Sequence, residues 1–155
     1  MTRPWIAKSI VAGLCGSVAH SLLMYAKSRA GWLPAFQPYE AFQLALGRLT
    51  GSDVHPIVPW VLSFANGAMV LGFIFGRLYG RLPGRSGVVK GVVFGLLGWA
   101  VMGLLFFPLI GLGVFATDVG LGASPALFAL PMLLTYSVVL GIVYAALHAP
   151  SPDRA

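Results

Sequence analysis

Residues 68–103 read AMVLGFIFGRLYGRLPGRSGVVKGVVFGLLGWAVMG. Gly72, Gly76 and Gly80 precede a short basic loop, and Gly87, Gly91 and Gly95 follow it. A glycine at every fourth residue places each triplet along one side of an α-helix. In water each of these glycines would weaken its helix by roughly 1 kcal/mol relative to Ala. In lipid the backbone must satisfy its own hydrogen bonds, and small residues let two helices approach closely. Both flanks of the loop are apolar, so the stretch is expected to be a transmembrane hairpin whose arms pack backbone to backbone.

The composition extends this reading to the whole chain. Its 155 residues are 58% hydrophobic and only 9% charged, against about 25% charged in an ordinary soluble domain. Four spans of roughly 20 residues each suit that balance. The expected fold is all-α: one polytopic membrane domain over residues 1–155, with spans at roughly 5–25, 57–79, 88–110 and 125–147. The apolar runs are too long and continuous for the alternating strands of a barrel. A net charge of +6 would suggest nucleic acid in a soluble protein. Here the basic residues flank apolar runs, so the lipid bilayer is the expected partner and nucleic acid is not. Cys15 is the single cysteine, which allows neither an intramolecular disulfide nor a thiolate metal cluster.

Arg3 and Lys8 before IVAGLCGSVA resemble a signal peptide. The apolar run continues through Leu22, Leu23 and Met24, however, and Leu14 stands before Cys15 where a lipoprotein site needs a small residue. The segment is read as an uncleaved first span, with Gly13, Gly16 and His20 on one inward face. In the polar stretch after it, Pro34 and Pro38 punctuate a turn. Phe42, Leu46 and Leu49 then recur at helical spacing. They mark a short amphipathic helix in the first outer loop, lying in the interface or capping the bundle. Pro56 and Pro59 suit the start of span 2, with Asp53 as its cap and His55 solvated. Pro108 loosens the end of span 3 and Pro131 kinks span 4, which begins at Ser124-Pro125. The glycine-rich connection GLGVFATDVGLGA between them carries Asp118 as its only charge. It is expected in the headgroup region or beneath a partner.

Arg3, Lys8, Arg77, Arg81, Arg85, Lys90 and Arg154 fall on one side, and Lys27, Arg29 and Arg48 on the other. The positive-inside rule then puts both termini and the 80–87 loop in the cytoplasm of a bacterial inner membrane. Spans 1 and 3 share a pattern, in which Lys8, Gly13 and Gly16 line up with Lys90, Gly95 and Gly98. Gly72 of span 2 lines up with Gly141 of span 4. The pattern suggests two tandem helical hairpins related by an axis along the membrane normal.

The order of elements, the GLLGW of the third span with its late Pro108, the Leu33-Pro34 of the first outer loop and Gly141 in span 4 resemble the uncharacterised YagU-like four-helix inner-membrane proteins of bacteria. The resemblance covers nearly the whole chain and is one of layout. It implies a fold and a location, and assigns no role to any residue.

Chemistry has few carriers. The acidic residues Glu40, Asp53, Asp118 and Asp153 all lie outside the spans, whereas ion-coupled transporters place carboxylates within the membrane. His20 is the one ionisable side chain well inside a span. It is either a ligand or proton-linked site, or a neutral imidazole bonded to Asn66 or Ser63 of span 2, and the structural role is favoured. Haem would need two facing axial ligands, and of His20, His55 and His148 only the first two share a side. Asp53 and His55, with Glu40 near, would bind a metal weakly at best. Arg77, Arg81, Arg85 and Lys90 suit anionic lipid headgroups, or serve only as a topology signal. Thr135, Tyr136 and Ser137 form a polar patch that bonds to its own helix or a neighbour.

No nucleophile–base pair, phosphate loop or CxxC motif is visible, so neither an enzyme nor a cofactor is expected. The leading expectation is a non-catalytic accessory or structural subunit that packs with itself or with a larger membrane complex. Its glycines exceed what four helices need for their own packing. The alternatives are a small oligomeric channel or carrier lined by Ser63, Asn66, Thr135 and Tyr136, and a haem- or metal-binding electron-transfer subunit built on His20.

Overall fold

A computed structural model describes residues 4–32 and 36–148. Pro34, Arg3, Arg154 and Asp153, which carried the turn, the two terminal charges and one carboxylate above, lie outside the described residues. Among the described residues every regular element is helical. Four helices are long and apolar enough to cross a membrane: α1 (Pro4–Ala30), α3 (Ile57–Leu78), α4 (Gly87–Leu109) and α5 (Ser124–His148). The shorter α2 (Pro38–Thr50) precedes α3.

The helix limits have local causes. Ser86 caps α4, its hydroxyl accepting the Val89 N–H at 3.2 Å. At the start of α3 Pro56 holds the cap position, and the Ile57 N–H donates to His55 Nδ1 at 3.2 Å rather than to Asp53. Asp53 is exposed and makes no hydrogen bond among the described residues. α1 continues past Tyr25 to Ala30 because Lys27 does not end it. That side chain is buried at 3% exposure, with Nζ donating to the Phe36 carbonyl at 2.5 Å. The rings of Phe36 and Phe128 flank the ammonium at 5.3 and 5.6 Å, a desolvated cation–π arrangement. α5 runs unbroken through Pro131.

The arms of the expected 68–103 hairpin do not pack backbone to backbone. Gly72 and Gly76 of α3 face α1: a Cβ at Gly72 would lie 2.6 Å from the Ser9 carbonyl and 3.2 Å from Gly13 Cα. Gly13 in turn abuts the Gly67 and Ala68 carbonyls. Gly87, Gly91 and Gly95 of α4 face α5, where Gly141 and Ser137 receive them, and Gly16 of α1 lies under the Tyr136 ring. Gly80 belongs to no seam, since no heavy atom lies within 4 Å of a Cβ built on it. Its place past the end of α3 takes it out of reach of every neighbour.

The two seams have the same build. Gly72 sits on Ser9 and Gly13, and Gly141 sits on Gly87 and Gly91. These contacts pair Gly13 with Gly91, one helical turn before the Gly95 that the sequence pattern aligned with it. α1 also packs along α5, whereas α3 and α4 share no extended backbone contact. They meet through side chains where Phe75 touches Phe94, Tyr144 and Tyr79 at centroid distances of 5.2, 5.7 and 5.6 Å. This aromatic core closes the end that carries the 79–86 connection. A second core of Phe36, Phe107, Ile110, Ala116 and Ala129 closes the opposite end. α2 caps that end, with Phe42 edge-on to Phe106 at 5.4 Å and Leu49 turned out at 83% exposure. The connection after α4 folds onto its own chain: Phe115 covers Gly103 and tilts onto Trp99 at 4.8 Å.

Candidate functional site

Between the two cores, where α3 and α4 stand apart, lies a cleft of about 600 Å³. Its floor is formed by Leu71 and Phe94, and its roof by Phe36, Pro38, Tyr39 and Phe42. Ser17, His20, Met132 and Tyr136 form the back wall. Leu62 and Asn66 on α3 and Val101 on α4 line it while exposed, so its mouth is the gap between those two helices. The lining is predominantly apolar with a few convergent polar groups, the usual character of a small-molecule site.

Both helices at the mouth carry a π-helical turn, Asn66–Leu71 in α3 and Met102–Phe106 in α4. Residues of both turns line the cleft. Such turns widen a helix and often mark functional sites. In α4 the turn precedes Pro108, which offers no N–H to the carbonyl four residues earlier. In α3 the Tyr136 hydroxyl donates to the Gly67 carbonyl at 2.5 Å and ties the turn to α5. Tyr136→Phe removes that bond alone and is expected to lower stability by about 1 kcal/mol. Thermal unfolding in detergent measures it, and an unchanged midpoint counts against a structural role for this contact.

His20 does not meet Asn66, and it reaches Ser63 only through a residue that sequence reasoning overlooked. The His20 Nδ1–H donates to the Met132 carbonyl at 3.4 Å. The Tyr39 hydroxyl lies 3.5 Å from His20 Nε2 and 3.2 Å from Ser63 Oγ. A carbonyl only accepts, which assigns the imidazole tautomer. Tyr39 then donates to Nε2 and accepts from Ser63. The two contacts of the ring are long for hydrogen bonds and easily exchanged. Burial pushes the Tyr39 phenol above its usual range, partly offset by the Ser63 bond, so it stays protonated at neutral pH. Tyr39 also packs on Trp60 at 4.3 Å. Its place at the start of an amphipathic helix was legible, but the partners, 19 and 24 residues away, were not.

Asn66 is exposed at the mouth of the cleft and makes no hydrogen bond among the described residues. Thr135 bonds back to the Pro131 carbonyl at 2.8 Å and does not line the cleft, unlike Ser63 and Tyr136. His55 accepts the Ile57 N–H at the start of α3, and His148 stacks on Tyr144 at the far end, so the three histidines do not converge. No cluster of three His, Cys, Asp or Glu occurs among the described residues. Of the four basic residues near the 80–87 loop, Lys90 is engaged. Its Nζ donates to the Tyr79 carbonyl at 2.6 Å and sits 4.1 Å above the Tyr79 ring, capping the C-terminus of α3. Arg77, Arg81 and Arg85 are exposed.

No curated protein and no solved structure matches the chain. No specific link to the YagU-like proteins is shown. The model of a family of unknown function (DUF6789) matches residues 4–154, and the chain belongs to that family.

Proposed function

We propose that this chain is a non-catalytic integral protein of the bacterial inner membrane that binds an apolar molecule in the cleft between α3 and α4. The cleft carries this reading: it is apolar, of ligand size, and open sideways on a face that lipid would cover. The seams supply the reason that the gap persists. Glycines close α1 on α3 and α4 on α5, while α3 and α4 share no such seam and meet through the rings of Phe75 and Phe94. If the two hairpins are tandem copies, the closed α1–α5 contact has the α4–α3 gap as its counterpart.

Gly98→Leu tests the reading. Gly98 lines the cleft, and a Cβ there would meet only Leu133 Cδ2, at 3.4 Å. The larger side chain therefore fills the cleft without touching a seam. Native mass spectrometry of protein extracted from its own membrane is expected to show one retained small molecule per chain, lost in Gly98→Leu. Wild-type protein that carries nothing, or a variant that retains the adduct, argues against it.

An accessory subunit, alone or in a larger complex, is the second reading. The open α3–α4 edge supports it, as a partner could cover that edge. Blue-native electrophoresis in mild detergent separates the two, since a strictly monomeric species without companions removes the second. For orientation, both termini and the 79–86 connection are assigned to the cytoplasm. A membrane-impermeant maleimide on intact cells is then expected to label Ser52→Cys in a Cys15→Ala background, and to label Arg85→Cys only after permeabilisation. The reverse pattern overturns the orientation.

A further inference from the structure

The chemistry of the cleft narrows what it can hold, given the binding role proposed above. Among the described residues no Asp, Glu, Lys or Arg lines it. A charged head would enter an apolar space without a counter-ion, at a cost of several kcal/mol. The Lys27 ammonium lies against the rings of Phe36 and Phe128, which line the cleft, and is already bonded to the Phe36 carbonyl. The polar groups that face the cleft are neutral: Ser17 and Tyr136 are bonded to the Phe64 and Gly67 carbonyls, Ser21 and Ser137 add hydroxyls, and the His20–Tyr39–Ser63 chain and the Asn66 amide, which makes no hydrogen bond among the described residues, lie next to the α2 roof. The opposite end is lined by the apolar side chains of Leu71 and Phe94, with Ser137 packed on the neighbouring Gly95.

Size excludes one occupant. A helix about 10 Å across would fill this volume in roughly 8 Å of its length, about five residues. A partner's transmembrane segment cannot enter, whereas a single small lipid can.

We propose that the cleft binds one lipid with an uncharged head bearing carbonyl or hydroxyl oxygens, the head bonded by Asn66 and the His20–Tyr39–Ser63 chain and the tail lying toward Leu71 and Phe94. The Asn66 amide supplies both a donor and an acceptor. The long contacts of His20 can be exchanged for bonds to the ligand at little cost. Access is lateral, between Leu62 and Val101, so the lipid enters from the bilayer without crossing water.

Photolabelling of the full chain in phosphatidylcholine nanodiscs tests this. Four probes carry a diazirine at the same depth of the tail: a monoacylglycerol, an alkyl benzoquinone, oleate and phosphatidylglycerol. The neutral probes are expected to label residues 62–71 and 94–106 about fivefold more than the charged ones. Asn66→Leu should cut that labelling about fivefold, the equivalent of one hydrogen bond, and Asn66→Gln should retain most of it. The preferred neutral probe identifies the source, acylglycerol or quinone-like. Should Asn66→Leu fail to fold, Ser63→Ala, which breaks only the link to Tyr39, serves the same comparison. Equal labelling of the cleft by charged probes, or labelling indifferent to both substitutions, overturns the neutral-head assignment and leaves the cleft as a binding site. Labelling by every probe no stronger in the cleft than at Leu127 and Ile142 on the outer face of α5 overturns both.

Discussion

Gly141→Leu is expected to prevent the bundle from forming, with a loss of about 3 kcal/mol or more. A Cβ at Gly141 would overlap the Gly87 carbonyl oxygen and lie 3.2 Å from Gly91 Cα. Both obstacles are backbone, so no rotamer change relieves them, and α4 must move away from α5. Gly13→Leu meets the same barrier on the other side, where the Gly67 carbonyl oxygen would lie 2.9 Å from its Cβ. Gly80→Leu is the control. It ends the four-residue repeat of Gly72 and Gly76 but has open space around it, and its change in stability is expected to stay within about 0.5 kcal/mol. Thermal unfolding in detergent, with the yield of monodisperse protein, distinguishes the three. A Gly141→Leu protein that melts with the wild type would falsify the seam.

Lys27→Met should release α2 from the end of the bundle. Met keeps the apolar stem that packs along α1 but loses the ammonium that holds the Phe36 carbonyl. A hydrogen bond from a charged donor is worth about 1.5–3 kcal/mol. Part of that is recovered because a buried cation no longer needs to be desolvated, so the net loss is about 1–2 kcal/mol. The effect concentrates on the segment between α1 and α2, where limited proteolysis is expected to cut several-fold faster. Since Phe36 and Tyr39 roof the cleft, ligand retention should fall with it. Unchanged proteolysis would show that the aromatic contacts alone hold the cap.

Much of the helical layout was legible because its determinants are local. Apolar runs interrupted by Pro and basic loops mark helix lengths without reference to any other part of the chain, and the expected spans fall within a residue or two of α3, α4 and α5. α1 is the exception. Lys27 read as a charge past the end of the span, and it is instead the last buried turn. Sequence alone could not show that the Phe36 carbonyl and the rings of Phe36 and Phe128 would receive it. His20 gives the same lesson in reverse. The need for a partner was plain, but its partners are the Met132 carbonyl and Tyr39, not Asn66.

The sequence by itself determined that the chain is helical, that four helices are apolar enough for lipid, and that their glycines seek close contact, because each follows from residue type and spacing along one strand of chain. Only the tertiary structure decided what the glycines meet. A four-residue repeat defines a face of its own helix, and which neighbour lies on that face depends on how all four helices are arranged. The cleft emerged the same way. It exists because α3 pairs with α1 and α4 with α5, which leaves the two arms nearest in sequence without a seam between them.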